Sequence, residues 1–132
     1  MPEPLVSIFI TSYNHEKYIR QAIEGCLMQE TSYPYEIIIH DDASTDNSAQ
    51  IIREYAEKHP DLINPILQKE NQYSKGVKIT VKVMLPVARG KYIAFCEGDD
   101  YWTDPNKLEK QITTMENDPS ISLCFTATKW VY

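Results

Sequence analysis

Residues 35–46 read YEIIIHDDASTD. The run Ile37-Ile38-Ile39 has the composition of a strand buried on both faces, and Asp41-Asp42 closes it. Ser44, Thr45 and Asp46 are N-cap candidates for a helix carrying Ile51, Ile52, Tyr55 and Ala56 at helical spacing, which stops before Pro60. Strand, acidic turn and helix follow one another within 25 residues, and the same unit recurs on either side. Upstream, residues 5–10 (LVSIFI) predict a strand, and Ile19, Ala22, Ile23, Cys26 and Leu27 mark the apolar face of a helix over 16–29. Downstream, residues 62–67 (LINPIL) predict a short strand, and Pro65 assigns it to a sheet edge because proline cannot donate to the ladder. Val77, Val81, Met84, Leu85 and Ala88 suggest a helix over 76–89 that Pro86 would kink or shorten. Residues 91–96 (KYIAFC) predict a fourth strand, 105–117 a helix with Leu108, Ile112 and Met115 on one face, and 121–126 a fifth strand. This alternation implies an α/β fold: one domain over residues 1–132, with a mostly parallel sheet and helices on both faces.

Open sheets of this kind bind ligands beyond the carboxyl ends of their strands. Three polar clusters fall there: Thr11-Ser12-Tyr13-Asn14, Asp41-Asp42, and Glu97-Gly98-Asp99-Asp100. Capping the following helix needs only Ser44 or Thr45, so the Asp41-Asp42 pair reads as surplus to structure and free to accept hydrogen bonds from a nucleobase or a ribose. Glu97, Asp99 and Asp100 put three like charges into four residues, which costs energy unless a cation sits among them. Hard oxygen donors suit Mg²⁺ or Mn²⁺, and such an ion can bridge to phosphate. Tyr101 and Trp102 read as wall or core residues. His15, His40 and His59 form no metal or triad spacing, and Lys69, Lys75, Lys78 and Arg89 are the basic candidates for a diphosphate.

The chain has 132 residues, 13 of them Lys or Arg and 19 Asp or Glu, for a net charge of −6. That balance argues against a surface that binds nucleic acid or anionic lipid by bulk charge. No apolar run reaches the length of a membrane span, and Met1-Pro2-Glu3-Pro4 opens no signal peptide. Cys26, Cys96 and Cys124 are expected as buried reduced thiols of a cytoplasmic protein. Thr11 to Lys17 (TSYNHEK) lacks the Gly-rich loop of a nucleotidyltransferase, no GxGxxG points to a dehydrogenase, and a phospho-accepting signalling domain would leave the second acidic cluster without a use.

Val6–Asn14 (VSIFITSYN), Ile37–Asp46 (IIIHDDASTD) and Tyr92–Leu108 (YIAFCEGDDYWTDPNKL) together resemble the three signature blocks of family 2 glycosyltransferases, in order and in spacing. The resemblance implies a Rossmann-like GT-A three-layer sandwich that transfers a sugar from a nucleotide-sugar donor, with inversion and with Mn²⁺ or Mg²⁺. It implies nucleoside contacts from Thr11, Tyr13, Asp41 and Asp42, a ribose-facing Glu97 where the family more often has Asp, and metal ligation by Asp99 and Asp100. The implied acceptor is a glycan or a lipid-linked sugar in cell-surface polysaccharide biosynthesis, at the cytoplasmic face of a membrane reached through other segments or partners. Nothing after Trp102 matches the family's catalytic base. The sequence ending Trp130-Val131-Tyr132 therefore reads as the donor-binding portion of a longer enzyme, its base beyond residue 132. A fragment that binds the donor without transferring it is the alternative.

Overall fold

The computed structural model describes residues 3–129, so the N-terminal Met1-Pro2 and the terminal Trp130-Val131-Tyr132 lie outside the described residues. Four strands, β1 (Val6–Ser12), β2 (Tyr35–Asp41), β3 (Ile63–Leu67) and β4 (Tyr92–Glu97), alternate with three helices, α1 (Ile19–Leu27), α2 (Ser48–Lys58) and α3 (Lys107–Asn117). Every strand pair is parallel, in the order β3-β2-β1-β4. The chain lays β2 and β3 on one side of β1, then crosses back to place β4 on the other. That reversal opens a crevice between the carboxyl ends of β1 and β4, where parallel sheets take their ligands. Pro65 lies in β3, the sheet edge its missing N–H requires.

Side chains alternate across each strand, so the two faces build separate cores. Ile8, Ile10, Ile37 and Ile39 meet Ile19 and Ile23 of α1, Ile52 of α2, and Leu108 and Ile112 of α3. Each such fully buried branched side chain contributes roughly 1.5–3 kcal/mol. The opposite face is thinner: Phe9 and Ile38 are covered by Met84, with Ile79 and Ala88 beside it. Helical segments thus cover both faces unequally, and at β4 the cover stops. Phe95 is 63% exposed, its ring edge-on to Phe9 at 5.9 Å.

Two predicted elements differ. Residues 76–89 do not form a regular helix: a π-helical turn, Thr80–Met84, runs into a 3-10 turn, Leu85–Val87. Pro86 has no N–H to continue the ladder, and Val77, Ile79, Thr80, Val81 and Val83 are β-branched, so the segment lacks the propensity to override it. The strand expected at 121–126 is absent as well. Its backbone pairs with no strand among the described residues, and Leu123 and Phe125 are 78% and 86% exposed. Alternating apolar residues supply a face for a strand, but a strand also needs an edge to pair with. Cys26 and Cys96 are buried free thiols, as expected, whereas Cys124 is half-buried. A hydrogen bond with the Cys96 thiol, and then burial, push the Cys26 thiol far above its ordinary range, which leaves it inert.

Candidate functional site

Thr11, near the end of β1, pairs in register with Glu97 at the end of β4. The Gly98 N–H donates to the Thr11 carbonyl at 2.7 Å and the Asp100 N–H to the Glu97 carbonyl at 2.9 Å, which folds residues 97–100 into a tight turn against β1. A side chain at position 98 would find no room: a Cβ there would lie 2.7 Å from both the Thr11 carbonyl oxygen and His15 Nδ1. Glycine therefore lets this turn sit directly on the β1 loop. As a result Glu97, Asp99 and Asp100, all exposed, each offer a carboxylate oxygen within 4.8 Å of the others. At that spacing each pair repels by about 1 kcal/mol even in water. Among the described residues no Lys or Arg pairs with any of the three. Hard, unpaired oxygen donors converging on one space fit a divalent cation such as Mg²⁺ or Mn²⁺.

Asp41 and Asp42 also stand at this edge but are not surplus to structure, which corrects the sequence reading. Asp41 Oδ1 accepts from Ser44 Oγ at 2.6 Å and Ser12 Oγ at 3.1 Å, and its Oδ2 accepts from the Ser44 N–H at 3.0 Å. Asp42 Oδ1 and Oδ2 accept the Gln72 and Tyr73 N–H groups at 2.7 and 3.0 Å, and its carbonyl accepts Asn71 Nδ2 at 3.0 Å. One carboxylate therefore shapes the turn into α2, and the other anchors the loop after β3. They are 1% and 5% exposed. Between this pair and the helix, Ala43 adopts φ 60°, a conformation that alanine reaches only at a cost of about 1–2 kcal/mol. The hydrogen bonds of its two neighbours hold it there.

Tyr13 is 47% exposed beside this edge. A cavity of about 630 Å³ opens next to Thr11, with Tyr73, Gly76, Val77, Lys78, Ile79 and Thr80 forming its other wall. That sorts three of the four basic candidates. Arg89 is taken by Glu36 at the amino end of the sheet, and Lys75 pairs with Glu70, while Lys78 lines the cavity. Trp102 packs against the main core with Lys107 Nζ 5.0 Å from its ring, the wall role expected of it. His40 is buried in β2 with Nε2 unpartnered. Burial pushes its imidazole below the ordinary range, against the opposing pull of Asp42 and Asp41.

Sequence reasoning placed Asn14 in the first polar cluster without a role and missed His15. Asn14 takes φ 54° and accepts the Thr45 N–H at 2.8 Å, tying the β1 loop to the β2 loop. His15 has its N–H on Ser48 Oγ at 2.9 Å and its Nε2 4.0 Å from Asp99. The spacing of the three histidines hid it; its place just after β1, the strand at which the sheet order reverses, is the signal that could have found it.

The family model described as "Glycosyl transferase family 2" matches residues 7–130. An uncharacterized protein of Mycobacterium tuberculosis is 48% identical over 96% of this chain and 36% of its own length. The UDP-Glc:alpha-D-GlcNAc-diphosphoundecaprenol beta-1,3-glucosyltransferase WfaP of Escherichia coli is 39% identical over 86% of this chain and 42% of its own. Among solved structures, the mannosyltransferase PcManGT from Pyrobaculum calidifontis, in complex with GDP-Man and Mn²⁺, superimposes with a TM-score of 0.75 at 24% identity, over 92% of this chain and 34% of that one. The chain thus spans well under half the length of the relatives it matches.

Proposed function

The chain belongs to glycosyl transferase family 2, and from that premise we propose that residues 1–132 bind the nucleotide-sugar donor of an inverting, metal-dependent glycosyl transfer. The observation that carries this reading is the convergence of Glu97, Asp99 and Asp100 within 4.8 Å, one strand across from Thr11 at the crevice of the sheet. Asp99 and Asp100 would hold the divalent ion, with Glu97 facing the ribose. A cation bound there supplies charge neutralisation to the nucleoside diphosphate as it leaves the sugar. Thr11 and Tyr13 are assigned to the nucleoside, Asp41 and Asp42 to shaping the loops that present it, and Lys78 to the diphosphate.

An inverting transfer also needs a carboxylate to take the proton from the acceptor hydroxyl. The acids after Trp102 are all engaged: Asp104 with Lys110, Glu109 with Ser32, Glu116 with Lys91, and Asp118 with Ser120. We therefore assign that base to a segment outside residues 1–132, and donor binding to the chain itself. We propose a glycan or lipid-linked acceptor at a cytoplasmic membrane face; the lipid link is in keeping with the diphosphoundecaprenol in the name of the E. coli relative. Among the described residues no helix is long and apolar enough to cross a membrane.

Calorimetry of UDP, GDP and CDP, with and without Mn²⁺ and repeated on Asp99→Ala, tests the reading. One nucleotide should bind, and tightly only with metal and an intact Asp99. Binding that ignores both metal and mutation would sink the metal assignment, and no binding of any nucleotide would sink the donor site.

A further inference from the structure

We propose that His15 is a positioning residue for the acidic turn, its Nε2–H directed at Asp99 so that this carboxylate stays within the Glu97–Asp100 cluster. The inference rests on the metal reading above and adds a part that the cluster itself does not contain.

Three observations locate the ring. Its backbone is pinned, because the His15 N–H donates to Ser48 Oγ at 2.9 Å and the His15 carbonyl accepts the N–H groups of Tyr18 and Ile19 at 2.9 and 2.8 Å. Its Nδ1 edge packs on Gly98, so close that a Cβ at that position would lie 2.7 Å from Nδ1. Its Nε2 edge stands 4.0 Å from Asp99 Oδ2, and the two side chains are 25% and 47% exposed. That separation is longer than a hydrogen bond, so the proposed contact requires the exposed Asp99 side chain to turn towards the ring.

The buried edge decides where the proton sits. His15 Nδ1 is shielded from solvent and has no hydrogen-bond partner. A buried N–H without an acceptor costs about 1–3 kcal/mol. The neutral ring therefore carries its hydrogen on Nε2, the edge that faces Asp99 and water, and Nδ1 keeps a bare lone pair against Gly98. A histidine N–H turned towards an exposed acid is a donor held in place by packing. Asp99 makes no hydrogen bond among the described residues, and His15 Nε2 at 4.0 Å is the side-chain nitrogen facing it. Outer partners of this kind typically raise metal affinity 10–100-fold by restricting the ligand's orientation.

The test has a metal-free arm and a metal arm. In the ¹⁵N-labelled chain without metal, two-bond ¹H–¹⁵N correlation spectra at a pH where His15 is neutral should show the Nε2–H tautomer, and Asp99→Asn should shift the His15 Nε2 resonance. An Nδ1–H tautomer, or a resonance indifferent to Asp99→Asn, overturns the proposal. In the metal arm, Mn²⁺ binding followed by electron paramagnetic resonance should weaken about 10-fold in His15→Leu, which fills the space without a donor. His15→Gln, whose amide reaches the place of Nε2, should recover most of the loss. His15→Leu binding Mn²⁺ like the wild type overturns the proposal. If the wild type itself binds no Mn²⁺, the metal reading falls, and the metal-free arm still decides the contact between His15 and Asp99.

Discussion

Replacing Gly98 by alanine should both destabilise the fold and disable the acidic cluster. The added methyl would lie 2.7 Å from the Thr11 carbonyl oxygen and from His15 Nδ1, and 3.2 Å from Ile19 Cδ1. Of these, the Thr11 carbonyl belongs to a strand paired on both sides and cannot withdraw. The turn must lift instead, which breaks the 2.7 Å hydrogen bond from the Gly98 N–H. Overpacking costs about 1–3 kcal/mol and the lost hydrogen bond about 0.5–1.5, so roughly 2–4 kcal/mol is expected. In a domain of this size that lowers the melting temperature by roughly 10 °C. Gly76→Ala is the matched control. Gly76 takes φ 79° but has open space where its Cβ would go, so its penalty is conformational strain alone, about 1–2 kcal/mol. Thermal unfolding by circular dichroism compares the two, and a Mn²⁺ titration of the surviving folded protein reads the cluster. A Gly98→Ala melting temperature no lower than that of Gly76→Ala, or an unchanged Mn²⁺ affinity, would refute the account of this turn.

At the opposite end of the sheet, buried Glu36 accepts Ser7 Oγ at 2.6 Å and the Arg89 N–H and Nε at 2.8 and 3.1 Å. Glu36→Ala should cost about 2 kcal/mol in urea unfolding, because Arg89 is half-exposed and partly re-solvates. Nucleotide affinity should stay unchanged, and its loss would show the two ends to be coupled. Lys78→Ala should weaken binding of the preferred nucleoside diphosphate about 10-fold by removing a charge-assisted hydrogen bond, and should leave the bare nucleoside unaffected. An equal loss for both would place Lys78 on the base instead. For His40, whose folded-state value lies below the ordinary range, the unfolded chain takes up the proton first. Its contribution is therefore fully present above about pH 6.5 and is lost as pH falls through that value towards the folded one. Stability measured from pH 7.5 to 5 should fall less steeply in His40→Asn, and parallel curves would exclude His40 as the source.

What could be read in advance followed from local periodicity. Ile37-Ile38-Ile39 and the 5–10 run announced strands because burial on both faces demands continuous apolar, β-branched residues, and Pro65 announced an edge because a missing N–H has one consequence wherever it falls. The errors arose where a neighbour decides. Residues 76–89 have helical spacing, yet Pro86 and a β-branched run gave the segment no means of holding a regular helix over the Phe9 and Ile38 face. Residues 121–126 have strand spacing without a paired edge. At the site, the acids were visible as a cluster because they lie within four residues. His15 was not, because 84 positions separate it from Asp99 and only the return of β4 alongside β1 brings the two together.

The net charge of −6 conceals a division among the acids at the carboxyl edge. Asp41 and Asp42 are nearly inaccessible, and each is satisfied by donors of the protein itself, from Ser12, Ser44, Gln72 and Tyr73. Their charge is compensated within the fold and builds loops. Glu97, Asp99 and Asp100 are exposed, crowd together and have no Lys or Arg partner among the described residues. Their charge is uncompensated, so a cation entering there relieves repulsion already present in the folded chain. The two groups differ in what they contribute to donor binding. Removing Asp42 should loosen the 71–76 loop and so reshape the cavity wall, a loss that added metal cannot repair. Removing Asp99 should leave the cavity intact and abolish only the metal-dependent part of the affinity. A nucleotide whose affinity falls equally in Asp42→Ala with and without Mn²⁺, but only with Mn²⁺ in Asp99→Ala, would separate wall from ligand. Identical metal dependence of the two losses would mean that the acidic edge acts as one electrostatic unit.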